Sequence, residues 1–129
     1  MSKELWDKGL AVRKEVLGAE YVERQLKSAD DFNMPMQELV TQSCWGWLWA
    51  RPQMPRKTRS LVNLAMLSAL NRPNEFKTHV QGALKNGCSR DEIREVLLQV
   101  AIYCGMPAGV EAFRLAREAM KEYAEERRT

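Results

Sequence analysis

The sequence has few of the residues that mark a metal site or a disulfide scaffold. It contains one histidine, His79, and three cysteines, Cys44, Cys88 and Cys104, with no CxxC pair. An odd number of scattered cysteines argues against a disulfide framework, and a single histidine adds no local zinc signature. We therefore predict no metal site and expect each cysteine to be a small buried hydrophobic residue in a reducing compartment.

Long apolar runs and a dominant charge are missing as well. No apolar stretch approaches the ~20 residues of a membrane span, and the N-terminus lacks the apolar core of a signal peptide. We therefore expect a cytoplasmic protein without a membrane partner. The 20 basic and 17 acidic residues leave a net charge of +3 that is spread along the chain, which gives no case for a nucleic-acid partner. There is also no Gly-rich phosphate loop and no G-x-S-x-G elbow.

Helical periodicity, in contrast, runs through the whole sequence. Its 129 residues fit one domain, 1–129, and we predict a compact all-α bundle of about six helices. Apolar stripes, prolines at starts and glycines at stops place helical segments at 3–17, 19–29, from Pro35 to before Pro52, and at 56–71, 74–86, 92–104 and 108–126. Ser89 and Glu92 match a capping box. We expect 56–71 and 92–104 to be the buried central helices.

One segment concentrates aromatic residues. Trp45, Trp47 and Trp49 lie within five residues, and Arg51 follows them. Trp45 and Trp49 share a helix face, which is more often part of a core or an interface than a ligand-binding wall. A guanidinium next to a turn, as at Arg51, is suited to two-point binding of a carboxylate, and Arg72 is a further candidate anion-binding residue.

Apolar side chains also indicate self-association. The two apolar helices exceed what a small solitary bundle needs, and we expect several Trp and Met side chains to be exposed. Surfaces of this kind are usually covered by another subunit, so we predict a homo-oligomer. The side chains expected to be exposed are Trp45, Trp47, Trp49, Met34, Met36 and Met54.

His79 is the candidate for proton chemistry. Glu75 precedes it by four residues and Gly82 follows it by three, so the three lie on one helix face. Glu75 can orient the imidazole and raise its basicity, as a general acid or base requires. Packing against Phe76 and Val80 is the alternative role for a lone histidine.

Several motifs, in order, resemble the carboxymuconolactone decarboxylase family over roughly residues 9–118. They include Trp45-Gly46-x-x-Trp49-x-Arg51-Pro52, Arg56-x-x-Arg59-Ser60-Leu61, Glu75-x-x-x-His79-Val80-x-Gly82-Ala83-Leu84 and Tyr103-Cys104-Gly105-x-Pro107-Ala108. The resemblance implies an all-α fold of the alkylhydroperoxidase D type that assembles into homo-oligomers, commonly trimers or hexamers.

The resemblance also implies an activity. It indicates a cofactor-free carboxy-lyase that converts 4-carboxymuconolactone into β-ketoadipate enol-lactone during protocatechuate degradation, in the β-ketoadipate pathway of aromatic catabolism. The substrate's unsaturated lactone accepts the electron pair left by CO2, so the protein must bind carboxylates, stabilise an oxyanion and deliver a proton. On this interpretation Arg51 and Arg72 anchor carboxylates, His79 is the general acid, Glu75 orients it, and Trp45 and Trp49 wall the site.

Two alternatives stay open. Trp47 and Gln99 stand where family decarboxylases often have an acidic residue and a histidine, which allows an oligomeric protein that only binds an anionic, aromatic-like ligand. A thiol peroxidase using Cys44 or Cys104 is the weaker alternative. The peroxidase branch has a CxxC just before the histidine, whereas this chain has the segment 72–75 there, and thiol turnover needs two sulfurs.

Overall fold

The computed structural model describes residues 2–128, and every regular element among them is helical. There are seven α-helices and one π-helix. Their bounds are α1 Lys3–Leu17, α2 Ala19–Lys27, α3 Met34–Leu39, the π-helix Val40–Trp49, α4 Arg56–Ala69, α5 Pro73–Lys85, α6 Arg90–Cys104 and α7 Met106–Glu126. The all-α prediction is confirmed.

The chain divides into two compact units, Met1–Pro55 and Arg56–Thr129. In the first unit α1 packs on the π-helix and on α2. In the second unit α5 and α6 pack on α7, and α4 packs on both α5 and α6. Each unit has its own hydrophobic core cluster. The single domain over 1–129 stays a prediction.

Local sequence signals account for most helix ends. Gly18, at φ 98°, separates α1 from α2, and Gly105, at φ 109°, separates α6 from α7. These left-handed conformations are ones that glycine adopts without steric cost. Ser89 and Glu92 form the predicted capping box at the start of α6. The described residues contain eight helices, against an expected total of about six and seven predicted segments. The run after Pro35 changes winding, so this one predicted segment counts as two elements.

The π-helix differs from the predicted α-helix. Three of its buried residues, Thr41, Trp45 and Trp49, recur every four positions. Both windings accommodate this spacing, so the periodicity of the sequence gave no sign of the π-helix. The segment lies against α1 at very short backbone distances. A Cβ at Gly9 would lie 1.9 Å from the Thr41 carbonyl oxygen, and one at Gly46 would lie 2.5 Å from the Leu5 carbonyl oxygen. Two glycines therefore permit this contact.

The close contact buries two of the tryptophans. Trp45 and Trp49 are only 3% and 4% exposed, in the core cluster of the first unit. The expectation that they are exposed is wrong, because the glycines let the α1 backbone cover that face of the π-helix. The expectation is confirmed for Trp47, which is 59% exposed, and for Met36 and Met54. Met34 is half-buried.

In the second unit the core lies between α5, α6 and α7, with Leu64 of α4 packed against them. The predicted central helices are only partly buried. In α4 only Ser60 and Leu64 are buried, and in α6 only Ile93, Leu97 and Val100. Each helix therefore also carries exposed apolar residues: Val62, Met66, Leu98, Ile102 and Tyr103.

Within residues 2–128, no helix combines the length and the apolar character needed to cross a lipid bilayer. The cytoplasmic location stays a prediction.

Candidate active site

His79 lies in the middle of α5, and its imidazole pairs with a side chain from α4. The side-chain nitrogen of Asn63 is 3.1 Å from Nδ1 of His79. The Asn63 amide donates and Nδ1 accepts, so the neutral ring carries its proton on Nε2. Asn63 thus fixes the tautomer that offers an N–H donor at Nε2. Sequence analysis missed Asn63, because an asparagine sixteen residues away on another helix gives no local signal.

His79 is half-buried, and partial removal from water keeps it neutral. Removal from water lowers the pKa of His79 to about 4, and the negative charge of Glu75 opposes the shift only in part. At pH 7 the ring is therefore an uncharged hydrogen-bond donor and a potential proton acceptor. A neutral donor in a poorly hydrated position suits stabilisation of a developing oxyanion.

Glu75 and Gly82 flank His79 as the helical spacing predicted. Glu75 is exposed at the start of α5, and its carboxylate acts on the ring through its charge. Gly82 is buried. The structure therefore assigns the hydrogen bond at Nδ1 to Asn63, while orientation of the ring by Glu75 stays a prediction.

Arg72 lies in the turn between α4 and α5. Its guanidinium donates to the carbonyl oxygens of Leu70 and Asn71, at 2.7 and 3.4 Å. It also lines a pocket of about 270 Å³ that includes Phe76 and Glu111, and the Glu111 carboxylate is paired with Arg114. Arg72 thus stabilises the end of α4, and its role as a carboxylate anchor stays a prediction.

A second pocket in this unit runs between α4 and α6. It has a volume of about 340 Å³ and is largely apolar, and Gln99 and Tyr103 line it together with aliphatic residues. Gln99 is the position where the family pattern often has a histidine, so this departure falls in a pocket that opens on the exposed apolar side of α4 and α6.

In the first unit, the aromatic segment divides into a buried part and an exposed part. The rings of Trp45 and Trp49 pack with centroids 5.0 Å apart and an interplanar angle of 31°. Arg51 is exposed and lies over the ring of Trp47, with its guanidinium carbon 5.2 Å from the ring centroid. Substrate binding by these residues stays a prediction.

Arg13 is a charged residue that sequence analysis did not single out. It lies on α1 and is buried, and its Nη1 donates to Gln37 Oε1 at 2.9 Å and to Thr41 Oγ1 at 3.2 Å. A helical stripe of apolar residues with an arginine beside it resembles any amphipathic surface helix, so the pattern gives no warning of its burial.

The three cysteines differ in exposure. Cys88 is buried as expected, Cys44 is half-buried, and Cys104 is exposed. The expectation of burial is thus wrong for Cys104, which lies next to exposed Tyr103 at the end of α6. Burial raises the pKa of Cys44, and nearby Arg13 offsets this only in part. A protonated thiol is a poor nucleophile, which weakens the peroxidase alternative for Cys44. The described residues contain no group of three or more His, Cys, Asp or Glu suited to a metal ion.

Comparison with known proteins gives concordant matches. Residues 35–118 match the model of the carboxymuconolactone decarboxylase family. The chain is 40% identical to the 4-carboxymuconolactone decarboxylase of Acinetobacter baylyi over 120 residues, which is 93% of this chain and 90% of that protein. It is 41% identical to the nitrosuccinic acid decarboxylase of Metarhizium robertsii over 122 residues, covering 95% and 85% of the two chains.

The pKa of His79 can be measured without assignment, because it is the one histidine in the chain. We expect an NMR titration of its ring to have a midpoint near pH 4. Asn63→Asp would place a carboxylate at Nδ1 and raise that midpoint by about 1 to 3 units. Glu75→Gln removes the charge that raises the pKa, so it should lower the midpoint further. A wild-type midpoint near 6.5 would contradict the burial argument.

The same shift predicts a pH dependence of stability. Between pH 6.5 and 4 the unfolded chain binds a proton at His79 that the folded chain does not. The free energy of unfolding therefore falls as the pH is lowered through this window, by about 3 kcal/mol in total. Urea unfolding of wild type and His79→Gln at several pH values isolates this contribution, since the carboxylates are common to both proteins.

Proposed function

The chain belongs to the carboxymuconolactone decarboxylase family, and on that premise we propose that it is a cofactor-free decarboxylase of a small carboxylated compound, with 4-carboxymuconolactone as the first substrate to test. The observation that supports this most is a half-buried, neutral His79 whose tautomer is fixed by Asn63. A relative named as a 4-carboxymuconolactone decarboxylase, 40% identical over 93% of this chain, supports the choice of substrate.

The two named relatives point to a shared chemical requirement. One name specifies a carboxylated lactone and the other a nitro derivative of a dicarboxylic acid. In each compound the C–C bond to the carboxylate can break with its electron pair moving onto an acceptor, the unsaturated lactone or the nitro group. Carbon is then protonated, and CO2 is the only other product. Such a reaction needs no redox partner, so the protein has only to stabilise the oxyanion and supply the proton.

His79 fits both tasks in sequence. In the ligand-free protein its Nε2–H is a neutral donor for the developing oxyanion. A substrate carboxylate close to the ring favours the imidazolium form, so binding of the anion raises the pKa of His79. The ring then takes up a proton at Nδ1, with the Asn63 amide turned so that its oxygen accepts from Nδ1–H. In this form His79 serves as the general acid that protonates carbon. Arg51, Arg72, Trp45 and Trp49 remain proposed substrate-binding residues, and Glu75 a proposed orienting residue.

CO2 release from 4-carboxymuconolactone and from nitrosuccinate tests this proposal. We expect turnover of at least one acid by wild type, and His79→Gln should lower kcat by about 10² to 10⁴-fold, the usual contribution of a positioned proton donor. Asn74→Ala, an exposed change five residues earlier on α5, is the matched control and should keep full activity. No turnover of either acid would contradict the proposal and favour the binding-protein alternative, as would equal rates for wild type and His79→Gln.

We also propose that the protein is a homo-oligomer, a trimer or a hexamer. The support is the apolar side of α4 and α6, where Ile102 is 69% and Tyr103 is 82% exposed and Val62 and Leu98 are nearby in sequence on the same helices. Exposed aliphatic and aromatic side chains grouped on two adjacent helices are typical of a subunit interface. The occupant we propose is a second copy of this chain.

Light scattering tests the assembly. We expect a mass of three or six chains for wild type at micromolar concentration, and dissociation by Ile102→Lys, because a lysine at the interface would bury an unpaired charge. Phe32→Lys changes an apolar residue in the first unit that is even more exposed than Ile102, and it should leave the mass unchanged. A wild-type mass equal to one chain would contradict the proposal.

A further inference from the structure

Arg13 is the one charged side chain that is buried among the described residues, at 6% exposure. A buried guanidinium loses hydration worth several kcal/mol unless other groups replace it. Arginine stays protonated even when burial lowers its pKa, as burial does here. The first unit therefore contains a permanent positive charge in its interior.

Both hydrogen bonds of Arg13 come from one nitrogen of the guanidinium, Nη1. Nη1 has two hydrogens, and both are accounted for by Gln37 Oε1 and Thr41 Oγ1. Nε is fully buried and has no partner. In the part of the chain that the structure describes, Nη2 has no hydrogen-bond partner either. The edge formed by Nε and Nη2 is therefore unpaired, and this is an edge on which a guanidinium binds a carboxylate through two parallel N–H bonds.

No carboxylate within residues 2–128 balances this charge. Both hydrogen-bond partners are neutral, and among residues 2–128 no Asp or Glu forms an ion pair with Arg13. The nearby groups that would raise the pKa of Arg13 when ionised are the Tyr21 hydroxyl and the Cys44 thiol. Burial raises the pKa of Cys44, so the thiol is neutral at pH 7 and supplies no counter-charge.

The surroundings of Arg13 differ from those of an ordinary structural arginine. Its partner Thr41 belongs to the π-helix, which also carries Cys44 and the buried pair Trp45 and Trp49. The winding of π-helical segments is rare and frequently occurs at functional sites. The unpaired edge thus belongs to a guanidinium that is bonded to the π-helix and removed from water, an environment that strengthens binding of an anion.

We propose that Arg13 is a carboxylate-binding residue whose Nε and Nη2 take both oxygens of one carboxylate of a small dicarboxylic ligand. The choice of ligand class rests on the proposed function, while the site itself rests on the unpaired edge. Arg51, by comparison, is exposed and lies over Trp47. Arg13 is therefore the arginine of the first unit with the buried geometry that makes a carboxylate contact strong.

Succinate binding, measured by calorimetry and by thermal shift, tests the proposal without any turnover. We expect succinate to bind wild type and to raise its unfolding temperature. Arg13→Met keeps the length and apolar stem of the side chain and should weaken succinate binding by about tenfold or more, as expected for loss of a charge-assisted pair. Arg13→Lys keeps the positive charge but lacks the paired Nε and Nη2 donors, so it should also weaken succinate binding. This variant replaces Arg13→Met in the test if the methionine variant does not fold.

Arg24→Met is the matched control, since Arg24 is an exposed arginine of the same unit on α2. It removes the same charge and should bind succinate as wild type does. Absence of succinate binding to wild type, or equal affinity of wild type and a folded Arg13 variant, would overturn the proposal. Succinate binding that depends on Arg13 in a protein that releases no CO2 would overturn the proposed reaction and leave this site standing.

Discussion

Removal of ionisable side chains from water is the constraint on which both units depend. In the second unit it holds His79 neutral, with a pKa of about 4 and the Asn63 amide at Nδ1. In the first unit it encloses Arg13, whose charge is retained while only neutral oxygens replace part of its hydration. Both arrangements cost folding free energy in the ligand-free protein. Such costs are typical of sites whose groups are set for an anionic ligand.

In the proposed reaction, a neutral histidine and an uncompensated arginine have different roles. We propose that the arginine provides binding energy for a carboxylate, whereas the histidine responds to the arriving negative charge by taking up a proton. This division suits a decarboxylation without a cofactor, because the electron pair left by CO2 is held by the substrate's own acceptor group. It also accounts for family members that are named for chemically different acids.

The sequence predicted features whose cause is local. Helix ends follow from Gly18, Gly105 and the capping box of Ser89 and Glu92. Family motifs then identified His79 as the candidate for proton transfer. The features that were missed are tertiary. Asn63 reaches His79 from another helix, and the burial of Trp45 and Trp49 depends on the backbone contact that Gly9 permits. The π-helix was not predicted because the four-residue spacing of Thr41, Trp45 and Trp49 also fits an α-helix.

Decarboxylation in D2O tests the central claim most directly, that this protein removes CO2 and protonates carbon without a cofactor. With 4-carboxymuconolactone as substrate, CO2 would be collected and the product examined by proton NMR. The account predicts one deuterium per CO2 released, on one face of the ring carbon, because the proton comes from a positioned group. Release of no CO2, or deuterium distributed equally over both faces, would contradict it.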